Sequence, residues 1–313
     1  KEKNLMRYIT LGQDDKELSE IVLGMMRIED KSVKEVEELV ETALSVGINA
    51  FDLADIYGRG RCEELLGLVL KNRPDLREKM WIQSKCGIRI EEFTYFDFSK
   101  DYIIKSVDGI LQRLKIDHLD SLLLHRPDAL MESDQVAEAF DLLYKQGKVR
   151  DFGVSNQNPM MMELLKKDVK QPLAVNQLQL SAAFTPGFES GFHVNMEDSQ
   201  AAMRDGSIFE YCKLHDVVIQ AWSVLQFGYF KGNFVGNEKF QALNQVLDRL
   251  AIKYGVTSST IAISWILRYP AKMQAVVGTT NPKHLREVSQ AANFSLTRKE
   301  WYEIYLAAGN NLP

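Results

Sequence analysis

The chain is 313 residues long, 45% hydrophobic, and carries a net charge of −5 with acids and bases mixed throughout. That is enough apolar material for a large core, and no basic stripe offers itself to nucleic acid or to an anionic membrane surface, so neither is expected as a partner. The cysteines Cys62, Cys86 and Cys212 fall in no metal-ligating spacing; with no apolar run of ~18–20 residues and no signal pattern, they point to a cytoplasmic protein without a bound metal.

Residues 7–20 (RYITLGQDDKELSE) read as a hairpin ahead of the first strand, placed to cover one end of the fold. A strand at 21–25 (IVLGM) precedes the helical pattern SVKEVEELVETALSVG, with Ser32 as N-cap and Gly47 at its stop. A strand at 50–53 precedes RCEELLGLVLKN, and a strand at 80–85 leads through a long loop to SKDYIIKSVDGILQRLK. Strands at 119–125 and 151–156 precede SDQVAEAFDLLYKQGK and NPMMMELLKK. Three more strands fall at 174–179, 217–223 and 275–280, with helices at 204–214 and 281–292 and extra helices at 238–253 and 297–308. The Gly-rich stretch 184–200 reads as a loop bordering the entrance of a site.

Eight strands, apolar on both faces and joined through helices, predict a parallel (β/α)8 TIM barrel as a single domain over residues 1–313. Fewer strands would suggest an open doubly wound sheet, but no GxGxxG follows the first strand. In a barrel the C-terminal strand ends meet at one mouth. Polar residues recur there: Asp52, Lys85, His125, Ser155 with Asn156, Gln177, and Trp222 with Ser223. His118, His193 and His215 read as surface or loop residues, Met160–Met162 as packing, and Cys86 as inert.

The stretch FDLADIYG (51–58) places a carboxylate in an apolar run, which requires a partner. Lys85 supplies one, and its ammonium also lowers the pKa of the Tyr57 phenol, making it a better acid. His125 can hydrogen-bond a carbonyl oxygen. The set contains no nucleophile, metal cluster or phosphate loop, so it can protonate an oxygen while a hydride donor supplies the electrons.

FDLADIYG, SKCG, LLLHRPD and GVSN, in this order and spacing, resemble the motifs of the aldo-keto reductase superfamily across essentially the whole chain. AFDLLYKQGKVRDFGVSN and RKEWYEIYLAAGNNLP are most similar to its YdhF-type bacterial branch. The resemblance implies a carbonyl reductase in which Tyr57 donates the proton, Lys85 and Asp52 tune it, and His125 orients the carbonyl. It implies NADPH, with NADH not excluded, lying extended across the mouth. Ser155, Asn156 and Gln177 would hold the nicotinamide carboxamide, Trp222 would stack on the ring, and Ser223 and Leu225 would follow the pyrophosphate. Gly278, Thr279, Thr280, Lys283, His284 and Glu287 would form the adenosine end. The family often has Lys where Gly278 stands, Arg at His284 and Asn at Val288. The small-molecule carbonyl substrate is expected against Met25 and Ile56, with Trp81, 126–132, 226–234 and 309–313 as further candidates. A cofactor-sensing regulatory subunit is the alternative within the same fold, and a metal- or base-dependent isomerase or lyase the alternative outside the family. Oligomeric state is not legible.

Overall fold

The computed structural model describes residues 6–12, 16–92, 94–193, 199 and 206–310. Strands β1 (Tyr8–Leu11) and β2 (Lys16–Ser19) form the expected hairpin. Strands β3 (Ile21–Gly24), β4 (Ala50–Asp52) and β5 (Trp81–Cys86) begin the barrel. A second hairpin, β6 (Ile88–Ile90) with β7 (Thr94–Phe96), occupies what reads in sequence as a long loop. The barrel continues through β8 (Leu119–Leu124), β9 (Val149–Ser155), β10 (Leu173–Gln179), β11 (Val218–Trp222) and β12 (Met273–Val277). It closes where β12 pairs in parallel with β3.

Helices α1 (Val33–Ser45), α2 (Arg61–Asn72), α3 (Lys100–Leu114), α4 (Ser133–Lys145) and α5 (Pro159–Lys166) follow their strands as the periodicity predicts. Ser32 caps α1 in a full capping box with Glu35. Helices α6 (Pro186–Phe192) and α7 (Ile208–Leu214) lie between β10 and β11. Helices α8 (Gln241–Tyr254) and α9 (Ser258–Leu267) both lie between β11 and β12, and α10 (Pro282–Ser289) and α11 (Arg298–Ala307) follow β12.

Two expectations need correction. Helix α9 was not anticipated because Thr260–Leu267 is buried throughout, and a helix without a polar face has no 3.6-residue pattern to show. The stretch 184–200 does not border the site where it is described. Instead Phe188 of α6 packs edge-on against Phe209, Trp265 and Trp301. Trp265 and Trp301 stack at 4.9 Å, and each indole N–H donates to the other's backbone carbonyl. His193, read in the sequence as a surface or loop residue, follows the end of α6 and is buried there beside Glu189 at 3.3 Å. Among the described residues no single helix is long and apolar enough to cross a membrane.

Side-chain alternation sorts each strand. On β5, Trp81, Gln83 and Lys85 face inward, while Ile82 and Ser84 face the helices. Trp81 therefore lies low in the barrel, clustered with Leu11 and Leu18 of the first hairpin, and not at the mouth. That hairpin covers the barrel floor as expected.

Outside the barrel, behind the turn after β4, Ser84 donates to Glu63 of α2 (2.6 Å) and Arg113 of α3 donates to its other oxygen (2.7 Å). Asp55 sits beside this pair with Oδ1 buried and unpartnered among the described residues. Burial, and then the charge of Glu63, pushes the Asp55 carboxyl up to about 7.

Two predictions follow from this packing. A Cβ on Gly67 would collide with the backbone carbonyl of Arg113, whereas one on Gly109 would meet only the tip of the Arg113 side chain at 3.1 Å. Gly67→Ala should lower stability by about 1–3 kcal/mol, and Gly109→Ala should be neutral or stabilising; thermal unfolding of both compares them directly. For Asp55 the folded value lies above the unfolded value of about 3.9, so its contribution is whole below that pH and is lost as pH rises through about 7. Asp55→Asn carries no charge to bury, so its unfolding midpoint should gain on wild type from about pH 4 to about pH 7. A pH-independent gap would show that Asp55 is not the titrating group.

Candidate active site

Asp52 ends β4 with its side chain inside the barrel, the parity set by Ala50 two residues earlier. There Oδ2 accepts from Lys85 Nζ at 2.8 Å, and Oδ1 accepts from the amides of Gln83 (2.7 Å) and Gln177 (3.0 Å). The carboxylate in the apolar run is fully paired. Lys85, itself 0% exposed, distributes its three N–H bonds over Asp52, the carbonyl of Leu53 (2.7 Å) and the Tyr57 hydroxyl (3.0 Å). Tyr57 reaches it from a short turn in which Gly58 and Arg59 both take left-handed backbone angles.

The donor direction matters. An ammonium has no lone pair, so the Tyr57 oxygen accepts from Lys85 and its own O–H proton is directed elsewhere. Elsewhere is the cavity, where His125 stands edge-on to the phenol with 5.8 Å between ring centroids. Burial pushes the Tyr57 phenol up, and the opposing pull of Lys85 does not overcome it. This corrects the expectation of a lowered phenol. Burial also draws the Lys85 ammonium down, but the charge of Asp52 and the hydrogen bonds of Asp52 and Tyr57 outweigh it and raise the net value. Burial, then the charges of Lys85 and Arg126, holds His125 well below its ordinary value, so its imidazole is neutral.

The cavity measures about 1110 Å³ and runs from Tyr57 and His125 past Trp222 to the start of α10. Its volume exceeds the ~300–1,000 Å³ typical of drug-sized sites, and its length suits an extended ligand. Asp52, Ile56, Ser155, Asn156, Gln177, Trp222, Ser223, Leu225, Gly278, Thr279, His284 and Glu287 all line it, as the sequence reading expects. Ser155 donates to the Gln177 carbonyl at 3.0 Å and accepts from Asn156 Nδ2 at 2.9 Å, and Asn156 Oδ1 accepts from the Trp222 indole at 3.3 Å, tying the ends of β9, β10 and β11 together. Asn156 and Ser223 both hold positive φ, strain that concentrates at ligand sites.

Other expected residues stand apart. Met25 is fully buried in the outer core; the side chain after it, Met26, lines the cavity instead, because the strand's alternation ends at Gly24. Thr280 and Lys283 are not in the cavity wall. Lys283 is 81% exposed and pairs at 3.9 Å with Glu287 one turn on, while the Asn281 side chain takes its backbone N–H as the cap of α10. Of the tail, 311–313 lies outside the described residues, and Asn310 bonds to the Tyr305 carbonyl.

The sequence reading missed Thr257 and Ser259, at the start of the unanticipated α9, and Arg27, just past β3. Arg126, inside a range considered only for substrate contact, lies over the rings of Trp222 (5.5 Å) and Tyr229 (5.6 Å). It has no hydrogen-bond or ion-pair partner among the described residues. Its position directly after His125 was the available signal.

The sequence profile of the Aldo/keto reductase family matches residues 20–306. Oxidoreductase YdhF of Escherichia coli (strain K12) is 34% identical over 99% of this chain and 100% of its own length. The 6-dehydroglucose reductase of Agrobacterium fabrum is 34% identical over 97% of this chain and 98% of its own. Among solved structures, a thermostable aldo-keto reductase in complex with the inhibitor epalrestat superposes with a TM-score of 0.76 at 25% identity, covering 96% of this chain and 100% of that one. An aldo-keto reductase from Klebsiella pneumoniae in complex with NADPH gives a TM-score of 0.76 over 96% of this chain and 94% of that one; at 20% identity it speaks for the fold alone. The chain belongs to the aldo/keto reductase family, and it is a carbonyl-reducing oxidoreductase.

Proposed function

We propose that the protein reduces the aldehyde of a polyhydroxylated, sugar-like substrate with NADPH, using Tyr57 as proton donor. The observation that carries this reading is the saturated Lys85 ammonium, which leaves the Tyr57 proton only the cavity to point into. The cofactor supplies the hydride. Ser155, Asn156 and Gln177 offer hydroxyl and carboxamide groups for its nicotinamide amide, and Trp222 offers an aromatic face. Thr279, His284 and Glu287 serve its far end, with Thr257 and Ser259 beside them.

At the reacting end, neutral His125 and Tyr57 present two donors to one carbonyl oxygen. As that oxygen gains charge both hydrogen bonds strengthen, and the phenol proton passes to it because an alkoxide is a far stronger base than a phenolate. Lys85 sits against the phenol oxygen and stabilises the phenolate left behind, and Asp52 holds Lys85 in place.

The substrate class rests on Arg126, Arg27, Glu29 and Asp30 around the same mouth. A wall so rich in charge and in hydrogen-bonding groups favours a hydroxylated ligand over a hydrocarbon one. Relatives in Agrobacterium fabrum and Novosphingobium aromaticivorans, 34% and 33% identical, carry the name 6-dehydroglucose reductase. No feature of the site favours a sensing role over turnover.

NADPH consumption with a panel of aldehydes tests the reaction. Wild type should turn over, with NADH as a weaker donor, and Tyr57→Phe should lose at least about 100-fold in kcat while its NADPH Kd stays within about twofold. Wild-type-like turnover by that variant would remove Tyr57 from the chemistry. Arg126→Leu should raise KM for a sugar aldehyde about tenfold or more and leave an unsubstituted aliphatic aldehyde nearly unchanged. An equal loss on both would place Arg126 with the cofactor.

A further inference from the structure

The catalytic set occupies only the upper end of a polar chain running through the barrel interior. Gln83, Gln177, Gln220 and Gln274 all point inward from β5, β10, β11 and β12, and none is more than 3% exposed. Barrel interiors are ordinarily packed with Val, Ile and Leu. Strands β5 and β11 lie opposite each other in the ring, and their amides meet across it, Gln83 Nε2 donating to Gln220 Oε1 at 2.7 Å. Gln177 donates to the same oxygen at 3.1 Å. Gln220 in turn donates to Gln274 Oε1 (2.8 Å), and Gln274 to the carbonyl of Ser19 at the barrel floor (2.9 Å).

The chain ends upward on Asp52. The second N–H of Gln83 and the second of Gln177 both reach Oδ1, so that oxygen faces only donors and Oδ2 alone is left for Lys85. Neutral amides that offer only N–H bonds stabilise a carboxylate and give a carboxylic acid nothing to donate to. The arrangement is not accounted for by stability. Gln83 Oε1 is buried without a partner among the described residues, a penalty a methionine of similar size would not incur.

We propose that Gln83 and Gln220 are positioning residues, forming an across-barrel amide bridge that keeps Asp52 ionised and turned so that Oδ2 faces Lys85. The titratable and charged groups facing Asp52 are Lys85 from β5, Tyr57 from the turn after β4, and His125 and Arg126 across the cavity after β8. Strands β10, β11 and β12 present the neutral amides.

The inference rests on reading Asp52, Lys85 and Tyr57 as the proton-donating set, so its test has an arm that needs no turnover. Gln83→Met removes one donor from Asp52; Gln220→Met leaves Asp52 untouched but releases both amides that brace it. In the pH profile of kcat/KM the acid-side limb should move up by about one pH unit in Gln83→Met and in the same direction, by less, in Gln220→Met. In infrared titration of the cofactor-free protein, the carboxylic-acid band that Asp52→Asn abolishes should grow in at higher pH in both variants than in wild type. Should Gln83→Met fail to fold, Gln220→Met carries the same prediction. Folded variants whose limb and band both stay at the wild-type pH, whatever their thermal midpoints, would make the glutamines packing alone and overturn the proposal. A moved band without carbonyl turnover in wild type would sustain the bridge and sink the reductase reading instead.

Discussion

A lysine ammonium buried inside a closed barrel is the constraint around which the mouth is organised. An unpaired charge there costs several kcal/mol, so each of its three protons has to find an oxygen. Lys85 finds a carboxylate, a backbone carbonyl and a phenol, on three different parts of the chain. Each of those contacts fixes something else. The bond to Leu53 holds the start of the turn, the bond to Tyr57 turns the phenol proton outward, and the bond to Asp52 requires the carboxylate to be braced in turn. The braces are amides reaching from the far side of the barrel. The polar interior and the catalytic geometry are therefore one hydrogen-bonded structure.

That structure is possible because parallel strands in a closed ring aim alternate side chains at a common axis. Trp81, Gln83 and Lys85 on one strand read as floor, brace and ammonium in order of height. The same two-residue step puts Ala50 below Asp52 and Val175 below Gln177. Outward-facing Ser84 uses the opposite parity to reach Glu63, linking β5 to α2 and through Arg113 to α3. The turn bearing Tyr57 is thus held from the barrel side by Lys85 and backed on its outer side by this carboxylate cluster.

Alternation also explains what could be learned from the chain alone. The barrel, its floor hairpin and the polar strand ends were legible because each strand is a short apolar run with its site residue at the C-terminal end. Met25 was misjudged by one place because parity lapses once the strand stops at Gly24, and loop side chains have no period to follow. Arg126 and Arg27 were obscure for the same reason, and Ser259 because it belongs to α9. Helix α9 was invisible because it is buried on every side. Lys283 was expected at the cofactor, but its side chain stands in solvent at 3.9 Å from Glu287. The glutamines had a signal that was not used. WIQSK, VIQAW and MQAVV each put a Gln in a buried run, two places from an inward-facing neighbour.

The raised phenol bears on how such an acid works. Lowering the pKa of Tyr57 toward neutrality would ionise part of the resting enzyme, and a phenolate cannot donate. Burial does the reverse and keeps the proton on. What Lys85 contributes is asymmetric in time. Beside a neutral phenol the ammonium gains only a hydrogen bond, but beside the phenolate formed as the proton leaves it gains a full charge interaction at the same 3.0 Å. The stabilisation thus grows along the reaction coordinate and favours the transition state over the ground state. Its size depends on Lys85 staying charged throughout, which returns the requirement to Asp52 and to the amides of Gln83 and Gln177 that hold it.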